Sequence, residues 1–450
     1  MHVALVSTYD LGHQPFGLAS PAKWLKRAGA EVHCVDLAVR PFAKAIALLD
    51  QAQLIALYLP MHTATRLAVK AIQRIKRLNP AAHLCAYGLY APLNADYLQE
   101  VGVQTILGGE FEQGLVDLYQ SLWAQQPVAL PPVSLARQQF QVPDRSNLPP
   151  LAEYAQVHMG QGEARLVGYT EASRGCKHTC RHCPIVPVYN GRFRIIQQEI
   201  VLADIQQQIA AGARHITFGD PDFFNGPGHA IPLVEALHQA YPEVTYDVTI
   251  KIEHLLKYKR FLPVLGDTGC LFVTSAVEAV DDNFLTVLNK GHTRADFMKV
   301  VALFREIGLV LNPTFVTFTP WITARGYAEL LATLDNLGLI EHVAPIQYAI
   351  RLLLPAGSKL LELAEVRELV RPFDETALVY PWSHPDPRLD ELYEEVFRLV
   401  KANQKSGESR RIHFERIWQA AIGLLPPEDV PVRTGVPAGM VVPTLSESWY

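Results

Sequence analysis

Short apolar runs recur along the first 125 residues, separated by stretches whose apolar positions return every three or four residues. Val3–Ser7, Glu31–Leu37, Leu54–Leu59, His83–Gly88 and Thr105–Leu107 read as buried strands, and Ala22–Ala28, Thr63–Leu78 and Phe111–Trp123 as helices. Continuous apolar strands alternating with helices predict a parallel sheet covered on both faces. Ligands of such sheets lie beyond the carboxyl ends of the strands. The loops there are Thr8–Ser20, Pro60–Thr63, Gly88–Pro92 and Gly108–Glu110.

The pattern lapses over Gln125–Pro150, which is rich in proline and has linker composition. From about Arg165 a second series starts, with strands at Leu166–Ser173, His215–Gly219, Tyr246–Ile250, Leu271–Ala276, Val310–Thr317 and Ile346–Leu352. A helix near Gln197–Ala211 and further helical stretches separate them. Six such units make a partial (β/α)6 barrel, whose active site belongs at the carboxyl ends of the strands. Past Gly357 the pattern turns mainly helical, as in Arg388–Ser406 and Arg411–Leu425, and Pro426–Tyr450 is again proline-rich. The expected fold is α/β. A flavodoxin-like sheet (1–125), a linker (126–164), a partial barrel (165–358) and a helical region with an irregular tail (359–450) follow one another.

A formal net charge of −5 and no basic stripe argue against a nucleic-acid partner. No apolar run is long enough for a bilayer, and Met1–Ser7 reads as a strand and not a signal peptide, so a cytoplasmic protein is expected. Cys34, Cys85 and Cys270 stand singly in strand-like runs and read as small buried hydrophobes.

The other three cysteines, Cys176, Cys180 and Cys183, fall within eight residues, spaced Cys-x-x-x-Cys-x-x-Cys, just after the first strand of the second series. Three thiolates on one tight loop can hold three irons of a 4Fe–4S cluster and leave the fourth open to a small molecule. Structural zinc with His178 or His182 is the alternative, although zinc motifs usually pair two short Cys/His couples. The run resembles the signature of the radical S-adenosylmethionine (SAM) enzymes. That resemblance implies that SAM binds the open iron and is cleaved by one electron to a 5′-deoxyadenosyl radical. It also implies an electron donor such as flavodoxin or ferredoxin.

Further stretches carry the resemblance. His182 occupies the slot where the family usually has an aromatic by the adenine. Gly219-Asp220-Pro221-Asp222 stands where similar proteins receive the SAM amino group, although either aspartate could instead cap or turn the chain. Ser275 to Glu278, then Asn289-Lys290-Gly291-His292-Thr293, resemble the cobalamin-associated branch. There Ser275 and Glu278 would meet the SAM ribose or carboxylate region, the bland alternative being a buried Glu paired with a base. Arg351 precedes a Pro355-Ala356-Gly357-Ser358 turn like that branch's and could face substrate or bridge a carboxylate. Arg194 could serve SAM or be surface charge.

A flavodoxin-like sheet ahead of the barrel is similar to the cobalamin-binding radical SAM proteins. His13 is the one candidate cobalt ligand, in Asp10-Leu11-Gly12-His13-Gln14-Pro15-Phe16-Gly17, a loop longer than the family's. Gly108, Gly109 and Glu110 resemble the glycines that let backbone approach the cofactor tail, or make an ordinary turn. The ending Val442-Pro443-Thr444-Leu445-Ser446-Glu447-Ser448-Trp449-Tyr450 resembles a subgroup whose tail continues with Cys-Cys or selenocysteine. The implied activity is cobalamin-dependent methyl transfer to a small-molecule or peptide substrate. Radical chemistry without methyl transfer, and a non-catalytic metal-binding protein, are the rivals. His62, His158, Tyr189 and Trp321 fall in expected mouth loops.

Overall fold

The computed structural model describes residues 1–160, 162–406, 408–435 and 442–446. Glu447, Ser448, Trp449 and Tyr450 of the tail resemblance lie outside the described residues.

The first strands are β1 (His2–Ser7), β2 (Glu31–Asp36), β3 (Leu54–Tyr58), β4 (His83–Tyr87) and β5 (Thr105–Gly109). They pair in parallel in the order β2-β1-β3-β4-β5, and β6 (Val133–Ser134) adds to the β5 edge. β3 is buried at every position because helices cover both faces, which is why its sequence does not alternate. The strand order reverses between β1 and β3, so a crevice opens at their carboxyl ends.

The first helix spans Phe16–Arg27, starting earlier than its pattern suggests because it runs through Pro21. Pro21 has no N–H to give Gly17, and the Tyr87 hydroxyl donates to the Gly17 carbonyl instead, at 2.8 Å. The helix Phe42–Gln51 buries only Ala45 and Leu49, too few positions to stand out by periodicity.

The proline-rich segment is pinned and not loose. Buried Arg145 forks onto both oxygens of Asp204 at 2.8 Å, and also donates to the Tyr169 carbonyl and to Gln14 Oε1, each at 2.7 Å. One side chain thus ties the linker to both halves of the molecule.

The second half begins with a hairpin, β7 (Gln156–Gly160) and β8 (Glu163–Thr170). A short ribbon, β9 (Ser173–Gly175) with β10 (Phe193–Ile195), brackets the cysteine loop. β11 (His215–Phe218), β12 (Thr245–Thr249), β13 (Cys270–Glu278) and β14 (Val310–Phe315) continue the parallel series from β8. β15 (Thr444–Leu445) pairs with β7 at the far edge. At Ile346–Leu352 the expected sixth strand is a 3-10 turn, Pro345–Ala349, followed by one parallel bridge between Phe318 and Arg351. The Phe315 N–H that a sixth strand would have taken donates to Gln347 Oε1 at 2.9 Å, so a side chain replaces the ladder. Helices Pro387–Ser406 and Arg410–Ile422 pack behind the barrel. Among the described residues, no helix is long and apolar enough to cross a membrane.

Candidate functional site

The cysteine loop leaves β9 at the carboxyl rim of the barrel. Asn225, fully buried, accepts the Lys177 N–H at 3.1 Å and lies 3.8 Å from Cys176 Sγ, fixing the loop's entry. Arg181 closes the other side, with its backbone N–H on the Leu288 carbonyl at 2.9 Å and its guanidinium on the Val287 carbonyl at 2.7 Å. Burial pushes the Cys176 thiol up, and the Cys183 thiol up to about 12, so neither is a thiolate at neutral pH without a cation beside it.

Spacing separates one ion from a cluster. Thiolates around a single zinc stand about 3.8 Å apart, the edge of a tetrahedron with 2.3 Å bonds. Among the described residues, donor triads drawn within 4.8 Å are His2–Glu31–His33 and His178–Asp222–His254, and the three cysteines form none. The three cysteines are thus not drawn together around one point in this structure.

Around the loop the expected residues sort themselves. His182 Nε2 stands 3.1 Å from Glu278 Oε1, and Lys290 Nζ reaches the same oxygen at 3.1 Å. Glu278 has φ +68°, a strained backbone for a glutamate, and turns the strand end under the cysteine loop. Gly219 is obligatory, since a Cβ there would lie 1.8 Å from the Tyr169 hydroxyl. Asp220 accepts the Ala172 N–H at 2.8 Å and the Ser173 hydroxyl at 2.5 Å, holding the turn that leads into the cysteines. Asp222 caps the 3-10 turn at Phe224, and its other oxygen lies 2.6 Å from His254 Nδ1.

Several expectations are corrected. Ser275 is fully buried on the outer face of β13 with the core residues Val273 and Val277, and strand parity turns Thr274 to the lumen instead. Arg194 points at the Leu135 carbonyl of the linker. Arg351 takes the second of its two readings and bridges a carboxylate, pairing with Asp390 at 2.8 Å and lying over the Trp382 ring. Gly108 packs away from the cavity described next, beside Pro92 and the Pro132 carbonyl, whereas Gly109 makes room for the chain's own β6, a Cβ there standing 2.2 Å from the Ser134 carbonyl, and also borders that cavity. His62 donates to the Ala377 carbonyl, His158 is exposed on β7, and Trp321 packs on Phe284. Tyr189 does border the cavity described next.

A cavity of about 460 Å³ joins the two halves. The four loops at the carboxyl ends of β1, β3, β4 and β5 supply Asp10, His13, Pro60, Gly88 and Gly109. The barrel side supplies Tyr169, Glu171, Ser173 to Gly175, Gly219 and Asp220. His13 is buried with its ring 4.9 Å from that of Tyr169. Glu110 takes the Tyr189 hydroxyl at 3.2 Å and faces Arg174, which is clamped by Glu112 at 2.7 Å and Glu171 at 2.6 Å. Asn225, Thr274, Lys290, Glu171 and Arg174 carry no linear signal, because each acts through a partner distant in sequence.

Burial raises the Asp220 carboxyl to about 7 against its hydrogen bonds from Ser173 and Ala172, with Glu171 nearby adding to the rise. Burial likewise brings Asp10 to about 7, opposed by His13, and Glu110 to about 7, opposed by Arg174. The folded state therefore keeps protons that the unfolded state sheds near pH 4. This stabilisation is complete below about pH 4 and is lost as pH rises through about 7. Stability should fall from about pH 4 to 7, by up to about 1.4 kcal/mol per pH unit per group, and Asp220→Asn should remove one group's share. Urea titrations across that range measure it, and an Asp220→Asn profile parallel to wild type refutes the assignment.

A half-barrel with a cysteine-rich rim, facing the ligand edge of a parallel sheet, defines a two-part α/β protein. Residues 170–334 match the model of the radical SAM superfamily, so the chain carries a radical SAM domain. Among curated relatives, the tRNA-2-methylthio-N(6)-dimethylallyladenosine synthase of Herpetosiphon aurantiacus is 26% identical over 178 residues, 36% of this chain and 39% of that protein. The threonylcarbamoyladenosine tRNA methylthiotransferase MtaB of Thermotoga maritima is 23% identical over 248 residues, 53% of this chain and 52% of that protein. The chain thus spans about half or less of the length of these relatives.

Among solved structures, the radical SAM methyltransferase TsrM of Kitasatospora setae, with tryptophan and a SAM analogue bound, has TM-score 0.64 and 18% identity, covering 82% of this chain and 77% of that one. The cobalamin-dependent SAM radical enzyme OxsB, with aqua-cobalamin and SAM bound, has TM-score 0.66 and 14% identity, covering 93% and 70%. At these identities the likeness is one of fold.

Proposed function

We propose that this chain is a radical SAM enzyme that carries a 4Fe–4S cluster on Cys176, Cys180 and Cys183 and transfers a methyl group with the help of cobalamin. The observation that carries the reading is three cysteines spaced Cys-x-x-x-Cys-x-x-Cys on the rim of a cavity whose opposite wall is the ligand edge of a parallel sheet. When bound, the cluster supplies the electron that cleaves SAM, and cobalamin supplies methyl transfer. TsrM and OxsB, named for methyl transfer and for cobalamin respectively, share this fold and support the reading.

The chain's own residues do the positioning. Asn225 and Arg181 set the cysteine loop, and Lys290 places a positive charge beside Cys180 and Cys183. Asp220 and the carbonyls around Gly219 offer acceptors to an ammonium. Tyr58, Met61 and Leu89 give the sheet side of the cavity an apolar lining suited to a large flat cofactor, with His13 the nitrogen donor among them.

Anaerobic reconstitution with iron, sulfide and hydroxocobalamin, then desalting and metal analysis, tests the reading. About four irons per chain, retained cobalt, and 5′-deoxyadenosine with S-adenosylhomocysteine upon adding SAM and reductant are expected. Iron and 5′-deoxyadenosine without cobalt or S-adenosylhomocysteine would replace methyl transfer with another radical reaction. No 5′-deoxyadenosine at all would overturn the radical reading.

A further inference from the structure

The cavity does not end at the rim. It continues down the half-barrel past Thr217, Asp247, Thr249, Thr274, Asn312 and Thr314 to a floor of His342, Ala344, Arg410 and Pro443–Leu445. The walls are polar because the inward positions of β11, β12, β13 and β14 alternate with outward ones that form the core.

Charge along this shaft is divided. Asp10, Glu171 and Asp220 stand at the rim, and Asp247 stands midway, held by His215 Nε2 at 2.8 Å and the Thr217 hydroxyl at 2.7 Å. At the bottom is a single cation. Arg410 donates to the Glu341 carbonyl, and among the described residues no carboxylate pairs with it. Its neighbours differ: Arg411 reaches Asp335, and Arg433 is clamped by Asp335 and Glu415. His342 donates through Nδ1 to the Leu311 carbonyl at 2.8 Å, and burial with Arg305 and Arg410 nearby holds its pKa down, so its Nε2 is a lone-pair acceptor at the floor and not an anion donor. The Tyr348 hydroxyl, within the field of Arg410, and Asn312 Oδ1 are buried without hydrogen-bond partners. A half-desolvated guanidinium with open donors is a recognition device for a carboxylate or phosphate.

We propose that the barrel floor is an anion-recognition subsite, so that the substrate is a small molecule whose terminal carboxylate or phosphate sits against Arg410 while its other end reaches the rim. Among the described residues lining the cavity, Arg174 is clamped by Glu112 and Glu171, whereas Arg410 at the floor meets no carboxylate. The assignment rests on the radical SAM reading for its meaning as a substrate subsite.

The test is calorimetric titration of the full, cluster-reconstituted chain with inorganic phosphate and, separately, with malonate, at constant ionic strength. One of the two should bind, and which one separates a phosphate from a carboxylate substrate. Arg410→Gln should weaken that binding roughly tenfold or more, and Arg410→Lys should weaken it less. Exposed Arg371, which donates to the Ser383 hydroxyl, serves as the control, and Arg371→Gln should bind as wild type. Circular dichroism and iron content report folding, and Arg410→Lys carries the test if Arg410→Gln fails to fold. No binding of either probe, or equal binding by wild type and the Arg410 variants, overturns the subsite. The titration does not depend on SAM cleavage, so loss of 5′-deoxyadenosine in the reconstituted wild type would sink the radical reading and leave the anion site standing.

Discussion

Alanine at any one of Cys176, Cys180 or Cys183 will strip iron from the reconstituted protein and bring 5′-deoxyadenosine to the level of a protein-free blank. The reason is the burial of these thiols. Burial lifts Cys183 to about 12 and raises Cys176 as well, so their negative charge exists only against iron. Three ligands on one loop leave no spare, and serine cannot substitute, since its hydroxyl ionises far less readily than a thiol. The fold should survive, because removing one small side chain from a loop lies in the ordinary range of about 1 kcal/mol. Iron analysis, visible absorbance and circular dichroism of each variant measure this. A single variant that keeps wild-type iron and product would remove the cluster assignment.

Glu278→Gln should destabilise the protein by about 3–5 kcal/mol, the usual cost of leaving one partner of a buried ion pair alone. Burial works against the Glu278 carboxylate, yet Lys290 and His182 overcome it and hold its pKa well below the usual carboxylate range. Lys290 is likewise raised despite its burial, by Glu278 first and then by the cysteine thiols. The sign follows from the depressed carboxyl. This stabilisation is present above the ordinary glutamate value of about 4.3 and is lost as pH falls through the lower folded value. Neutralising both partners, in Glu278→Gln with Lys290→Met, should recover much of the loss, because no bare ammonium is then left inside. Urea midpoints for the two single variants and the double variant decide it. A Glu278→Gln protein within about 0.5 kcal/mol of wild type would mean that the pair is solvated and does not brace the loop.

Both predictions join a feature visible in the chain to one that is not. The cysteine spacing and the apolar run before it could be read directly. The carboxylate that braces the loop was recognisable as a candidate, but its partner Lys290 was one unremarked residue of a longer stretch. Ser275 shows the limit at its sharpest. It sits one position from Thr274, and a strand's period of two sends one side chain to the lumen and the other to the core. Sequence pattern marked the strand and not its parity. The two readings of Arg194, and the two of Arg351, could not be decided in the chain because their partners, the Leu135 carbonyl and Asp390, lie 59 and 39 residues away.

By itself the sequence determined two alternating series of strands and helices, the loops at the carboxyl ends of the first sheet, and a three-cysteine loop on the rim of the second. These are local properties, set by periodicity, turn chemistry and spacing. Tertiary structure decided everything that depends on which distant groups meet. It made Gly109 a seat for the chain's own β6, let Gln347 stand in for a sixth strand, and closed the cysteine loop with Asn225 and Arg181. It also carried Arg410 from a helix start behind the barrel to the bottom of the shaft, where no carboxylate among the described residues meets it. Pairing of this kind is fixed by the packing of elements far apart in the chain, and no window of neighbouring residues contains it.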